Sequence, residues 1–253
     1  MAGNTSTPGA SVASRVLAVI GAFDDRHRSL TLTEIAARAG LALPTAHRLI
    51  GELVTGGALD RRDGGRYVVG RLVWEAGLVA PVQAELRQVA EPFLHDVYAA
   101  TLATVHLAVR DGDEVLYLDR MSGRASVPIV STVGSRLPMH CTGVGKVLLA
   151  HAPADVRQRV LGSLPRVTPY TVTVPATLNA QLERVRRDGV ATTVEEMTLG
   201  GCSLAVPVRH GGPDGAVVAV VAAIGVVVPT LKRDRQRLIG ALQVAARGIG
   251  RTL

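Results

Sequence analysis

Between residues 33 and 55 two helical patterns of apolar spacing meet at a glycine, and no other feature narrows the fold of this chain as much. Ile35, Ala36 and Ala39 give the first pattern an inner face, and Leu49, Ile50 and Leu53 give one to the second. Thr33 is placed as the N-cap of the first helix, where its hydroxyl accepts an orphan amide. Gly40 ends that helix, because glycine enters the left-handed region after a helix without steric cost. The second helix is predicted over residues 43–55, with Pro44 in the first turn, where no amide partner is lost. Val12, Val16, Leu17, Ile20 and Phe23 predict an earlier helix over residues 11–23. Residues 58–69 read as two short strands around Gly64-Gly65, a hairpin carrying Arg61, Arg62 and Arg66. Two short helices on a tight turn, followed by a basic hairpin, describe a winged helix-turn-helix.

A unit of this kind binds a duplex only if its second helix is slim in front and polar outside, because that helix must enter the major groove. Pro44, Thr45, His47 and Arg48 occupy the front and outer face, with small Ala46 beside them. The hairpin arginines would then lie along phosphates or in the minor groove. A plain helical hairpin with arginines solvating a surface turn has the same pattern, and His47 then becomes an exposed bystander. The net charge of +7 suits a polyanionic partner. Lysine occurs only at Lys146 and Lys232, so the positive charge is nearly all arginine, whose fork grips phosphates and guanine edges. A codon preference for Arg over Lys would give the same composition.

A chain of 253 residues is long enough for two domains, and 47% hydrophobic with 19% charged residues excludes a disordered polyelectrolyte. The boundaries are placed at a frayed tail over 1–10, the winged helix-turn-helix over 11–70, a linker helix over 71–84 and an α/β domain over 85–253. The linker helix rests on Trp74, Leu78 and Val79, with Pro81 following. In the α/β domain, helices are predicted over 85–100, 145–150, 154–161, 178–188 and 231–248. Strands are predicted over 102–110, 114–120, 190–195, 203–209 and 216–228. The last is too short for the roughly 20 residues a membrane helix needs. The first ten residues lack the charged start and apolar core of a signal peptide. Cys141 and Cys202 have no metal-ligand spacing, and two thiols suit a reducing cytoplasm. No metal, no cofactor and no membrane partner is expected.

The run Thr31-Leu32-Thr33-Glu34-Ile35-Ala36-Ala37-Arg38-Ala39-Gly40-Leu41, followed by Pro44-Thr45-Ala46-His47-Arg48-Leu49, resembles the helix-turn-helix of the IclR family. Gly65-Arg66-Tyr67-Val68-Val69-Gly70 is similar to the end of that family's wing. Ala42 departs from it, standing where a capping Ser is usual, a loss worth about 1 kcal/mol. Pro138-Met139-His140-Cys141-Thr142-Gly143-Val144-Gly145-Lys146 resembles the family's loop-to-helix segment. Residues 189–208 are similar to its signature, with Gly189, Glu196, Ser203, Leu204, Ala205 and Val208 in place and Thr193 where an acid or Ser is usual.

The resemblance implies an α+β chain: an N-terminal winged helix-turn-helix, a linker helix and a C-terminal GAF-like α/β sensor domain with an antiparallel sheet. It implies a sequence-specific transcription regulator, taken as a repressor, whose DNA affinity a small-molecule effector modulates. Its partners would be a palindromic double-stranded operator, the effector and a second copy of itself, as homodimer or homotetramer. Thr33, Pro44, Thr45, His47, Arg48, Arg61, Arg62 and Arg66 are then the DNA-contacting set. Carried over by position, the effector lining is Ile129, Leu137, Gly143, Val144, Thr193, Ser203, Ala222 and Ile224. Because Thr193, Ala222 and Ile224 stand where carboxylate-binding relatives place an acid and serines, the effector is expected to have an apolar body, as in an aromatic acid.

Thr142-Gly143-Val144-Gly145-Lys146 lacks the phosphate-loop spacing, since Val147 follows the lysine. It is a glycine-rich helix start that presents amides to an anion or serves structure alone. His140 and Cys141 form no dyad by adjacency, because neighbours on an extended chain point to opposite faces. Glu195-Glu196 is read as structural, and no catalytic triad is present, so the chain is not expected to be an enzyme. A sensor that binds partners without DNA remains the alternative.

Overall fold

The first three helices begin where the sequence supplies a cap or a proline. The computed structural model describes residues 11–24, 27–78, 83–123, 127, 130–211 and 217–253. The chain divides into two units, Met1–Val82 and Gln83–Leu253. The expected tail, the end of the linker helix around Val79 and Pro81, and Ile129 lie outside the described residues.

Helix α1 (Val12–Ile20) opens on Ser11, whose hydroxyl accepts the Ser14 amide at 3.1 Å, and closes at Gly21, short of Phe23. After a two-residue strand, β1 (Leu30–Thr31), comes α2 (Leu32–Arg38). Its cap is Thr31, not Thr33. Thr31 Oγ1 accepts the Glu34 amide at 3.3 Å, and the Glu34 carboxylate accepts the Thr31 amide at 2.7 Å. This reciprocal box satisfies two orphan donors where a Thr33 cap would satisfy one. Helix α3 (Leu43–Thr55) matches the predicted span, and its N-cap Ala42 makes no side-chain cap bond.

Strands β2 (Leu59–Arg62) and β3 (Arg66–Val69) form the hairpin, turned by Asp63, Gly64 and Gly65. Both glycines hold φ near +70°, a conformation closed to most side chains, so the pair sets the turn. β3 is central in the order β1-β3-β2. Val19, Leu30, Ile35, Ala46, Leu49, Ile50, Leu59 and Tyr67 close the core of this unit. Helix α4 (Arg71–Leu78) follows.

The second unit starts with α5 (Ala84–Thr101) and the hairpin β4 (Thr104–Asp111) and β5 (Glu114–Met121). A short strand β6 (Arg136–Pro138) leads to helices α6 (Gly143–Ala150), α7 (Ala154–Leu161) and α8 (Pro175–Asp188). Strands β7 (Ala191–Val194), β8 (Cys202–Gly211) and β9 (Val217–Val228) precede the last helix, α9 (Arg235–Thr252). The six strands form one antiparallel sheet in the order β6-β5-β4-β9-β8-β7.

Alternation along the strands sorts side chains between two layers. Leu204, Val206 and Val208 on β8, with Ala222, Ile224 and Val226 on β9, join the core built with α5 and α9. Ala205 and Ala223 face the other way, into the core that holds Val144, Val147, Leu178 and Leu182 of α6 and α8. Every residue of α6 is buried. The helix can lie this close to the sheet because its start lacks side chains: a Cβ on Gly143 would stand 2.5 Å from Ser203 Oγ. Lys146, 1% exposed, is held by Glu196 at 2.6 and 2.8 Å and by Gln181 Oε1 at 2.7 Å. The last helix runs four residues beyond its predicted end, Gly248, because Gly248 packs on the Phe93 ring and Gly250 on the Arg209 backbone. These glycines are contact points and not stops.

Candidate functional site

On α3 the helical period decides what each side chain offers. Ala46 is fully buried with Leu49 and Ile50, three and four residues on, so the opposite side of the helix faces out. Pro44, His47 and Arg48 are exposed, and Thr45 is half-buried. Ala46, expected beside the polar front, belongs to the core. The side chains of His47, Arg48 and Arg61 make no hydrogen bond or ion pair among the described residues, and all three are exposed. Arg62 lies 3.7 Å from the Asp60 carboxylate, an exposed contact of small energy.

Arg66 is differently employed. Its Nη2 donates to Ser29 O at 2.5 Å, its Nε to Ser29 Oγ at 3.1 Å, and Glu34 is 3.5 Å away. It pins β3 to the chain before β1, which leaves it less free to meet a phosphate than Arg61. Thr33 is exposed on the first turn of α2. Among the described residues, Arg48 on the outer side of α3 and Arg61 on the hairpin thus keep unpaired guanidiniums.

In the second unit a cavity of about 50 Å³ lies where α6 meets the sheet. Five of the residues expected there line it: Leu137, Gly143, Val144, Thr193 and Ser203. Ala222 and Ile224 do not. They point to the opposite face of the sheet, into the core beneath α5 and α9, and their neighbours Ala223 and Gly225 face the cavity side. A strand repeats every two residues, so an offset of one transfers a side chain to the other layer. The expected apolar character therefore loses two of its three supports. Val130, Leu137, Val144 and Met197 supply it instead.

His106, Tyr117 and Ser131 also line the cavity without having been singled out from the sequence, and Thr142, from the glycine-rich helix start, joins them. The available signal was an ionisable residue inside the apolar run Val105–Val109. His106 is paired with Ser131 Oγ through Nε2 at 2.8 Å and meets the Tyr117 ring edge-on at 5.0 Å. Burial, helped by the Arg120 charge, pushes its pKa down to about 3, so the imidazole is neutral. Burial also pushes the Tyr117 hydroxyl up, so it stays protonated. Arg120 donates to Ser131 O at 3.1 Å, while its buried Nε has no partner among the described residues. Across the cavity, Thr193 Oγ1 and Ser203 Oγ are 2.5 Å apart. The cavity thus offers neutral hydrogen-bonding groups on two sides and apolar walls between.

The family model described as Bacterial transcriptional regulator IclR C-terminal matches residues 80–251, and the IclR helix-turn-helix domain matches residues 12–63. The chain belongs to the IclR family. Like its IclR relatives it is a transcription regulator that binds DNA through its helix-turn-helix and answers to a small-molecule effector in its C-terminal domain. It is 31% identical over 201 residues to the HTH-type transcriptional regulator XynR of Escherichia coli, covering 77% of this chain and 78% of that one. It is also 31% identical to the p-hydroxybenzoate hydroxylase transcriptional activator of Acinetobacter baylyi, over 77% of this chain and 74% of that one. Among solved structures, an IclR homolog from Microbacterium hydrocarbonoxydans, complexed with 4-hydroxybenzoate, superposes with a TM-score of 0.87 at 35% identity. That match covers 96% of this chain and 100% of the other.

Within this IclR frame the catalytic readings of the sequence find no geometry. His140 Nε2 bonds Pro165 O at 3.0 Å. Cys141 Sγ rests 3.5 Å from Met197 Sδ, and burial, with Glu196 adding to it, pushes the thiol up to about 12. A buried thiol so far from its thiolate is a poor nucleophile. Lys146 is locked to Glu196, so the glycine-rich segment carries no free ammonium for a phosphate. Among the described residues no cluster of three potential metal ligands occurs, and no helix is long and apolar enough to cross a membrane.

Proposed function

We propose that this regulator senses an aromatic hydroxy acid and, as a dimer acting in the cytoplasm, reads a palindromic operator through His47 and Arg48, with Arg61 and Arg62 on the backbone. The cavity carries the effector proposal. His106–Ser131 on one side and Thr193–Ser203 on the other suit the two polar ends of a benzoate-like ligand, and Val130, Leu137, Val144 and Met197 suit its ring once the walls part, because about 50 Å³ is less than a ligand of that size fills. Arg120, behind Ser131, adds a positive field that favours a carboxylate. The Microbacterium relative was solved with 4-hydroxybenzoate, and the Acinetobacter relative is named for p-hydroxybenzoate hydroxylase.

Dimerisation is supported by Leu17 on α1 and by Leu72 and Trp74 on α4, all large apolar side chains left exposed, Trp74 at 60%. One winged helix reads only a half-site, so a two-fold operator needs two copies.

Calorimetric titration of the intact protein tests the effector. 4-Hydroxybenzoate is expected to bind at least tenfold tighter than glyoxylate or pyruvate, a difference of about 1.4 kcal/mol or more. Tight binding of glyoxylate or pyruvate with no heat from aromatic acids would contradict it. For the operator, gel shifts on DNA selected from a random library separate the roles. Arg48→Ala should relax sequence choice, whereas Arg61→Ala with Arg62→Ala should weaken selected and random DNA alike. The opposite pattern would reverse the assignment.

A further inference from the structure

A second, larger cleft lies away from the effector cavity, with a volume of about 760 Å³, between the ends of α8 and α9 and the strand β8. Its lining is strongly basic. Arg186 and Arg187 come from α8, Arg209 from β8, and Arg247 and Arg251 from α9. Asp188 is the single carboxylate side chain in the lining, and Arg187 Nε already donates to it at 2.9 Å.

Helix ends explain part of this charge. Arg186, Arg187 and Arg251 sit in last turns, where a cation complements the helix dipole. Arg209 and Arg247 have no such reason to be there. The side chains of Arg209, Arg247 and Arg251 make no hydrogen bond or ion pair among the described residues. Among the described residues, two buried polar atoms in the lining also lack partners: Arg186 Nη2 and His210 Nδ1. The remaining nitrogens of Arg186 are engaged, Nε by Ala150 O and Nη1 by Glu183 at 2.7 Å, so the guanidinium is fixed in place. Nearby His151 feels the same field. Burial lowers its pKa, its bond to Val147 O opposes this, and the Arg209 and Arg186 charges lower it further. Several like charges converging in a concave space are unfavourable until an anion enters. Buried donors left without acceptors add to that cost.

We propose that this cleft is an anion site, separate from the effector cavity, for a compact oxyanion carrying two or more negative charges, such as a diphosphate group. Forked guanidiniums from three elements match an oxyanion with several acceptors. A cleft of this volume has the size of a small-molecule site.

The test is titration of the intact protein with sodium diphosphate and, separately, inorganic phosphate, against sodium chloride at matched ionic strength near 0.15 M. Diphosphate is expected to bind with a Kd below about 1 mM and more tightly than inorganic phosphate. Arg209→Gln with Arg247→Gln should weaken it roughly tenfold or more. Because Arg209 is partly buried, Arg247→Gln with Arg251→Gln, both exposed, gives a second variant that keeps the core intact. No heat from diphosphate beyond the chloride control, or equal affinity in the wild type and both variants, would overturn the proposal.

Discussion

An imidazole enclosed by Tyr117 and Ser131 gives the second unit a pH dependence of its own. Free histidine titrates near 6.5, and burial holds folded His106 down to about 3. Between those values the unfolded chain binds a proton that the folded chain refuses. Stability from this residue is therefore complete above pH 6.5 and falls as pH drops, by about 1.4 kcal/mol per unit. Urea unfolding at pH 7 and pH 5 should show an acid loss that shrinks by roughly 2 kcal/mol in His106→Gln. An unchanged loss would mean that other groups set the acid limit. Lys146 predicts a different effect. Removing its charge in Lys146→Met leaves the Glu196 carboxylate buried alone, at a cost of about 3–5 kcal/mol. Adding Glu196→Gln should recover much of it, as measured by the urea midpoint. At this scale the sequence reveals residue types but not the layer they enter. Thr193 and Ser203 were legible in the cavity, whereas Ala222 and Ile224 required the exact strand phase, and Ala46 required the helical phase.

Among the elements, α3 and α7 were legible to the residue because proline, alanine or glycine signals bound a clear helical period. Strands β1 and β6, of two and three residues, were not, since a period of two cannot repeat in so few positions. Capping also separates the two threonines of α2. Thr31→Ala removes the box with Glu34 and should cost about 1 kcal/mol, while Thr33→Ala, exposed and uncapping nothing, should cost little. A larger loss for Thr33 would restore it as the cap. Helix α3 starts on an uncapped Ala42, so Ala42→Ser should gain about 1 kcal/mol in thermal or urea unfolding of the first unit. That gain would show that the helix carrying His47 and Arg48 begins under-stabilised in the free protein.

For the whole molecule, two units with separate cores carry separate halves of the function. The helix-turn-helix was the more legible half, because its helices, turn and hairpin are local in sequence. The cavity was less so, since His106, Tyr117 and Ser131 come from distant positions that only the fold brings together. Coupling between the halves must be reciprocal: an effector that changes DNA affinity is itself bound with affinity changed by the same factor, typically about 5- to 150-fold. The most direct measurement is fluorescence anisotropy of a library-selected operator, titrated with protein at several salt concentrations, with and without saturating 4-hydroxybenzoate. The expected result is salt-sensitive binding whose Kd shifts at least about fivefold with the acid. Operator binding that ignores both salt and every aromatic acid tried would contradict an effector-controlled DNA reader of this kind.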